Sequence, residues 1–197
     1  DRGNLNGPIN PTARPKDGYR HLPEVAAWCQ ALHDAVYGSL SAGEFPIVMG
    51  GDHCLAIGSI AAVSRYCAEQ EKPLTVLWFD AHADFNTPKT SPSGNIHGMP
   101  VAVLCGDGPK ELTGIGHAVP SLDSSQFIQV GIRSVDHVEK LAVSESDMTV
   151  YDMRTVDERH MRAVMEEALE MTAKRGGHLH VSFDVDFLDP TIAPGTG

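Results

Sequence analysis

Positive charge is scarce in this sequence: 15 Lys and Arg stand against 26 Asp and Glu, a net charge of −11 over 197 residues. A surface of that balance repels a polyanion, so nucleic acid is excluded as the expected partner. Long apolar runs are also missing. Nothing approaches the ~18 consecutive apolar residues that a membrane span needs, and no signal-peptide pattern opens the sequence. These absences point away from a membrane and toward a cytoplasmic protein. Cysteine is sparse as well. Cys29, Cys54, Cys67 and Cys105 form no C-x-x-C pair and lack the spacing of a zinc site. They read as small reduced thiols. There is no internal repeat, no low-complexity tract and no second-domain linker.

What remains is ordinary globular material, 42% hydrophobic and 21% charged. The length suffices for one domain with a real core, so a single domain over 1–197 is expected. Residues 1–20, rich in Gly, Pro and Asn, read as a loop. The opening on Asp1 and the closing turn sequence "PGTG" give the expectation of a chain cut at both ends.

Helical spacing runs through Val25, Trp28, Leu32, Val36 and Leu40, again through "LAIGSIAAVSRYCAEQ", and from Val101 to Leu104. The clearest helix is "VDERHMRAVMEEALEMTAKRGG". Its expected inner stripe is Val156, Val164, Met165, Ala168, Leu169 and Thr172, and Gly176 or Gly177 ends it. Apolar runs predict strands at "FPIVMGG" (45–49), "LTVLWFD", "QFIQVGIR", "MTVYDM" and "HLHVSFDVD". "LTVLWFD" is hydrophobic throughout, as a parallel strand covered on both faces would be. Strands alternating with helices predict an α/β fold with a mostly parallel sheet.

Polar chemistry recurs where these apolar runs stop, the position at which open α/β sheets hold ligands. "IVMGGDHC" ends in Asp52 and His53, "LWFDAHAD" in Asp80, His82 and Asp84, and "SFDVD" in Asp184 and Asp186. On an extended backbone alternate residues share a face, so each set is expected to point one way. Four carboxylates crowded together raise one another's pKa unless cations intervene. Two divalent ions, ~3.5–4 Å apart, satisfy such a set. Many carboxylates, few imidazoles and no thiolate favour manganese over a structural zinc, and magnesium takes fewer nitrogens. Other readings stand beside these: Asp52 as a helix cap, and "DVD" as surface acids. His21, His33, His137 and His160 are expected at the surface.

"GGDHCLAIGSI", "FDAHADFNTPKTSPSGNIHGMPVA" and "SFDVDFLDP", in that order, resemble the ureohydrolase family, and "SGNIHG" resembles its arginase branch. The resemblance runs from roughly residue 46 to the C-terminus. It implies a three-layer α/β/α sandwich and a binuclear centre of two Mn2+ per subunit. It also implies that His53, Asp80, Asp84 and Asp184 hold one ion, and that His82, Asp80, Asp184 and Asp186 hold the other, with Asp80 and Asp184 bridging.

The implied reaction is hydrolysis of L-arginine to ornithine and urea by a metal-bridging hydroxide. Asp84 would handle the proton and His97 would shuttle it to bulk water. Without the family, His97 reads as a loop residue that orders "SGNIHG". Asn86, Ser91 and Ser93 would bind the substrate's α-carboxylate, and Asp136 and Glu139 its α-amino group; a helix start with Ser134 or Asp136 as N-cap is the competing reading of "SVDHVEK". Arginases often carry an acid where this chain has Ser134. A homo-oligomer, trimer or hexamer, is implied too. Agmatine or guanidinobutyrate as substrate, or a silent metal- or arginine-binding protein, are the alternatives. Family members are longer, and none of these 197 positions matches the glutamate that grips the guanidinium.

Overall fold

The computed structural model describes residues 2–9 and 14–196. Part of the loop expected over 1–20, residues 1 and 10–13, lies outside the described residues. The chain divides into two compact units, Asp1–Gln70 with Asp84–Leu122, and Glu71–Ala83 with Asp123–Gly197.

The first unit is helical. α1 (Leu22–Ser41) starts with Pro23 in its first turn, where a missing N–H costs nothing. It buries Val25, Cys29, Leu32, His33, Val36 and Leu40. His33 is therefore not the surface residue its polarity suggested. Its side chain is 3% exposed, its Nδ1 lies 2.9 Å from Asp34 Oδ1, and its ring stacks on Tyr37. α2 (Ala56–Glu69) is buried along most of its length because its residues are small or apolar. The Cys29 thiol donates to the Cys54 carbonyl at 3.2 Å, tying α1 to the 3-10 turn His53–Leu55. Interaction with Cys29, then burial, pushes the Cys54 thiol far up, so it stays protonated. α3 (Pro100–Leu104) and α4 (Lys110–Thr113) complete this unit's helices among the described residues.

The second unit carries a parallel sheet in the order β3-β2-β1-β4. The strands are β1 (Leu74–Phe79), β2 (Phe127–Ile132), β3 (Thr149–Asp152) and β4 (His178–Phe183). β1 sits between two neighbours, and Leu74 to Trp78 are buried, as a strand covered on both faces requires. α5 (His137–Glu145) joins β2 to β3. α6 (Met153–Arg175) carries the chain from β3 to β4 at the opposite edge. Val156, Val164 and Ala168 of α6 pack with Leu77, Ile128, Val130 and Tyr151, each large aliphatic contributing about 1.5–3 kcal/mol by leaving water.

α6 begins where Asp152 accepts from Thr155 N (2.8 Å) and Thr155 Oγ1 (2.7 Å), an N-cap. The helix breaks at His160 (φ 65°). Beyond the break Val164 and Ala168 are buried, whereas Leu169, one residue past Ala168 and so about 100° around the helix, is 48% exposed and falls outside the expected stripe. At its end Gly177 (φ 82°) lets His178 N reach Pro73 O at 2.8 Å. A Cβ there would stand 2.1 Å from the same oxygen, so only glycine fits.

The strand expected at 45–49 is absent. Phe45, Ile47 and Met49 are 88%, 79% and 91% exposed. A strand is completed by a neighbour that takes its backbone N–H and C=O groups, and among the described residues nothing pairs with this segment.

Candidate metal centre

β1 stops at Phe79, and Asp80 N still donates to Val130 O at 3.3 Å. The Asp80 side chain is only 1% exposed. Burying that charge requires donors: Trp78 Nε1 reaches Asp80 Oδ2 at 2.9 Å, and His82 N reaches Oδ1 at 2.8 Å. The second bond folds residues 80–82 into an Asx turn. His82 Nδ1 then lies 3.4 Å from Asp80 Oδ1 and 3.0 Å from Asp186 Oδ2. One ligand atom from each of Asp80, His82 and Asp186 falls within 4.8 Å of the others, close enough to share a cation.

Asp184 and Asp186 do not alternate along a strand either. β4 ends at Phe183, and Asp184 caps the 3-10 turn Val185–Phe187 by accepting from Asp186 N at 2.9 Å. Asp186 Oδ1 accepts from Ala81 N at 3.1 Å. Burial first, then the negative charges of Asp80 and Asp184, raise the Asp186 carboxyl above the ordinary carboxylate range, against the help of the Ala81 N–H. Burial and the crowded carboxylates thus both disfavour the charged form of Asp186.

Two supports of this cluster escaped the sequence reading. The Arg133 guanidinium donates to the carbonyls of Asp186, Phe187 (3.2 Å) and Leu188 (3.2 Å), clamping the 184–188 turn. Its signal was a lone cation at the end of an apolar strand. Gly131 (φ 92°) sits in a register shift of β2, and a Cβ there would stand 2.5 Å from the Phe187 ring and 3.3 Å from Asp80 O.

The remaining candidates lie in the first unit or on α5. His53 follows Asp52, whose carboxylate caps the 3-10 turn by accepting from Cys54 N at 3.1 Å. His53 Nδ1 is 3.3 Å from Asp84 Oδ2. Asp84 is buried at φ 49°, a left-handed conformation that Asp tolerates better than most residues. So "DAHAD" is not an extended stretch. Its acids are aimed by a turn and a left-handed residue, not by pleat alternation.

His97 is half-exposed, with Nδ1 3.8 Å from Asp52 Oδ2. Burial opposes ionisation of Asp52, but His97 and Cys54 outweigh it and hold the carboxyl below its ordinary range. Asp52 is thus both a cap, the other reading of its position in the sequence, and a neighbour of His97, which the sequence did not reveal.

Asn86 is 8% exposed, and its Oδ1 accepts from Thr90 Oγ1 at 2.8 Å. Ser91 Oγ accepts from Gly94 N (3.0 Å) and Ser93 Oγ from Asn95 N (3.2 Å). On α5, Glu139 is 4% exposed, while Asp136 at the N-cap is exposed and makes no side-chain cap bond.

A parallel α/β sheet with a candidate cation cluster at the carboxyl ends of β1 and β4 defines the class of protein. The family model described as Arginase family matches residues 1–197. An arginase of Brucella melitensis is 43% identical over 198 residues, covering 100% of this chain and 64% of its own. The native arginase of Bacillus caldovelox superposes with a TM-score of 0.91 at 38% identity, over 98% of this chain and 64% of that one. The Entamoeba histolytica arginase in complex with L-ornithine gives 0.86 at 33% identity, over 94% and 62%. The chain belongs to the arginase family, and it spans 64% of the length of the curated Brucella relatives it matches.

Proposed function

We propose that the protein to which this chain belongs hydrolyses L-arginine to L-ornithine and urea with two manganese ions. The observation that carries this reading is the Asp80, His82 and Asp186 cluster at the strand ends of an arginase-family chain. Ornithine bound to the Entamoeba relative supports an amino-acid substrate.

In this reading His53, Asp80, Asp84 and Asp184 would hold one ion, and Asp80, His82, Asp184 and Asp186 the other. Bound divalent cations lower the pKa of a water and neutralise the excess carboxylate charge seen at Asp186. The chain's own residues do the rest. Asp84 would take a proton from the attacking water and return it to the leaving amine. His97, half-exposed and 3.8 Å from Asp52, exchanges protons with bulk water.

The substrate contacts follow from donor inventory. Thr90 occupies the carbonyl end of the Asn86 amide, which turns the NH2 end to serve a carboxylate. Ser91 and Ser93 accept from backbone N–H groups and so keep their own protons to donate to the same carboxylate. Asp136 and Glu139 supply acceptors for the α-ammonium.

The same reading carries a cytoplasmic homo-oligomer; among the described residues no helix is long and apolar enough to cross a membrane. Urea release from arginine, abolished by chelation and restored by manganese, is the test. Calorimetric binding of arginine without urea release would assign a binding role instead. Faster turnover of agmatine than of arginine would remove Asn86, Ser91 and Ser93 from the carboxylate.

A further inference from the structure

At the amino ends of the strands the second unit holds a cleft of about 300 Å³, lined by Pro73, Leu74, Thr75, Ser125, Gln126 and Arg175. Along β1 this is the end opposite Asp80, a separation of roughly 17 Å at the rise of a parallel strand.

Most polar groups of the lining are committed. Gln126 Nε2 donates to Leu74 O at 2.9 Å and its Oε1 accepts from Asp123 N at 2.8 Å. Ser125 Oγ donates to Asp123 Oδ1 at 2.6 Å. That bond and the Ser125 N–H hold the Asp123 carboxyl below its ordinary range, so its charge is already spoken for.

Two groups are left over. Thr75 is fully buried, and its Oγ1 has no hydrogen-bond partner. Arg175 Nη1 is buried and likewise without one. A buried hydroxyl left without a partner is costly, and a charged donor more so, so both on one cleft call for an acceptor from outside the chain. The surroundings are cationic too: Lys72 is close enough to lower the His178 pKa, second to burial.

We propose that this cleft binds a small oxyanion-bearing ligand, a carboxylate or a phosphate, through the Arg175 guanidinium and the Thr75 hydroxyl. Guanidinium is the group best matched to either oxyanion, and the hydroxyl adds one donor from the floor. The site stands apart from the metal-ligand positions and does not rest on the proposed reaction.

The experiment is calorimetric titration of the manganese-loaded protein, dialysed free of excess metal, with inorganic phosphate and separately with acetate at constant ionic strength. At least one anion is expected to bind, and the arm that responds names the source. Arg175→Met should weaken that binding at least about tenfold, the loss of one charge-assisted bond, with Arg175→Lys intermediate. Thr75→Val should weaken it severalfold, yet leave the anion-free protein as stable as the parent or more so, because an orphan hydroxyl is gone. Binding that is unchanged in both Arg175→Met and Thr75→Val overturns the proposal, as does no heat from either anion at millimolar concentration.

Discussion

"LTVLWFD" and "FPIVMGGD" look alike as sequence: a short apolar run, then an acid and a histidine within reach of it. One is an inner strand of the sheet, with Leu74 to Trp78 buried; the other forms no strand and exposes Phe45, Ile47 and Met49. The difference is neighbours. β1 has β2 on one side and β4 on the other, whereas among the described residues nothing pairs with 45–49. Apolarity states that a segment gains by leaving water; a strand also needs partners for its peptide groups.

The largest expected effect sharpens that comparison at the acid itself. Asp80→Ala removes a carboxylate held by Trp78 and His82 N–H groups and shared with His82 and Asp186. Manganese affinity, measured calorimetrically, should fall more than about 100-fold, beyond the 10–100-fold cost of losing an outer partner. An unchanged affinity would remove Asp80 from the centre.

The two apolar runs themselves come next. Leu77→Ala should cost about 2–5 kcal/mol in denaturant unfolding, because it empties a site in the β1–α6 core. Ile47→Ser, at 79% exposure, should stay within about 0.5 kcal/mol. A large loss at Ile47 would show that 45–49 is buried in solution after all.

β4 also carries an acid-sensitive group, His180. Burial, with His178 adding like charge, lowers the His180 imidazole from 6.5 to about 4. The fold therefore prefers neutral His180. The stability this contributes is fully present above pH 6.5 and is lost as pH falls through about 4. His180→Gln should flatten the pH dependence of the melting temperature between those limits; an unaltered slope would show that His180 does not titrate as described.

The smallest effect is at the start of α6. Asp152→Ala should cost about 1 kcal/mol, the worth of an N-cap, and less as acid protonates the parent carboxyl, which Thr155 holds below its ordinary range. Parallel melting curves of parent and variant across acid pH check this.

Much of the fold was legible from local signals. The buried run of β1, the apolar face of α1, the glycines after α6 and the alternation of strands with helices follow from side-chain size, period and turn chemistry. The candidate ligands were legible as residue types that follow apolar runs. Their aiming was not. Alternation on a pleat predicts that Asp80, His82 and Asp84 point one way, but the chain leaves the strand after Phe79 and uses an Asx turn and a left-handed Asp84. Asp184 and Asp186 meet the others through a 3-10 turn clamped by Arg133. Buried His33 and exposed Leu169 were misplaced for a related reason: hydropathy ranks a side chain without knowing its neighbours.

By itself, then, the sequence determined the chemistry: which segments prefer to be helix or apolar strand, and that carboxylates and imidazoles cluster at their ends. Those preferences are properties of single residues and their near neighbours along the chain. Only the tertiary structure decided which apolar run became a strand, how the acids turned to face one another, and that an orphaned arginine and threonine line a cleft at the far end of the same sheet. Each of these depends on groups far apart in sequence, such as Ala81 with Asp186 and Thr75 with Arg175, which local pattern does not encode.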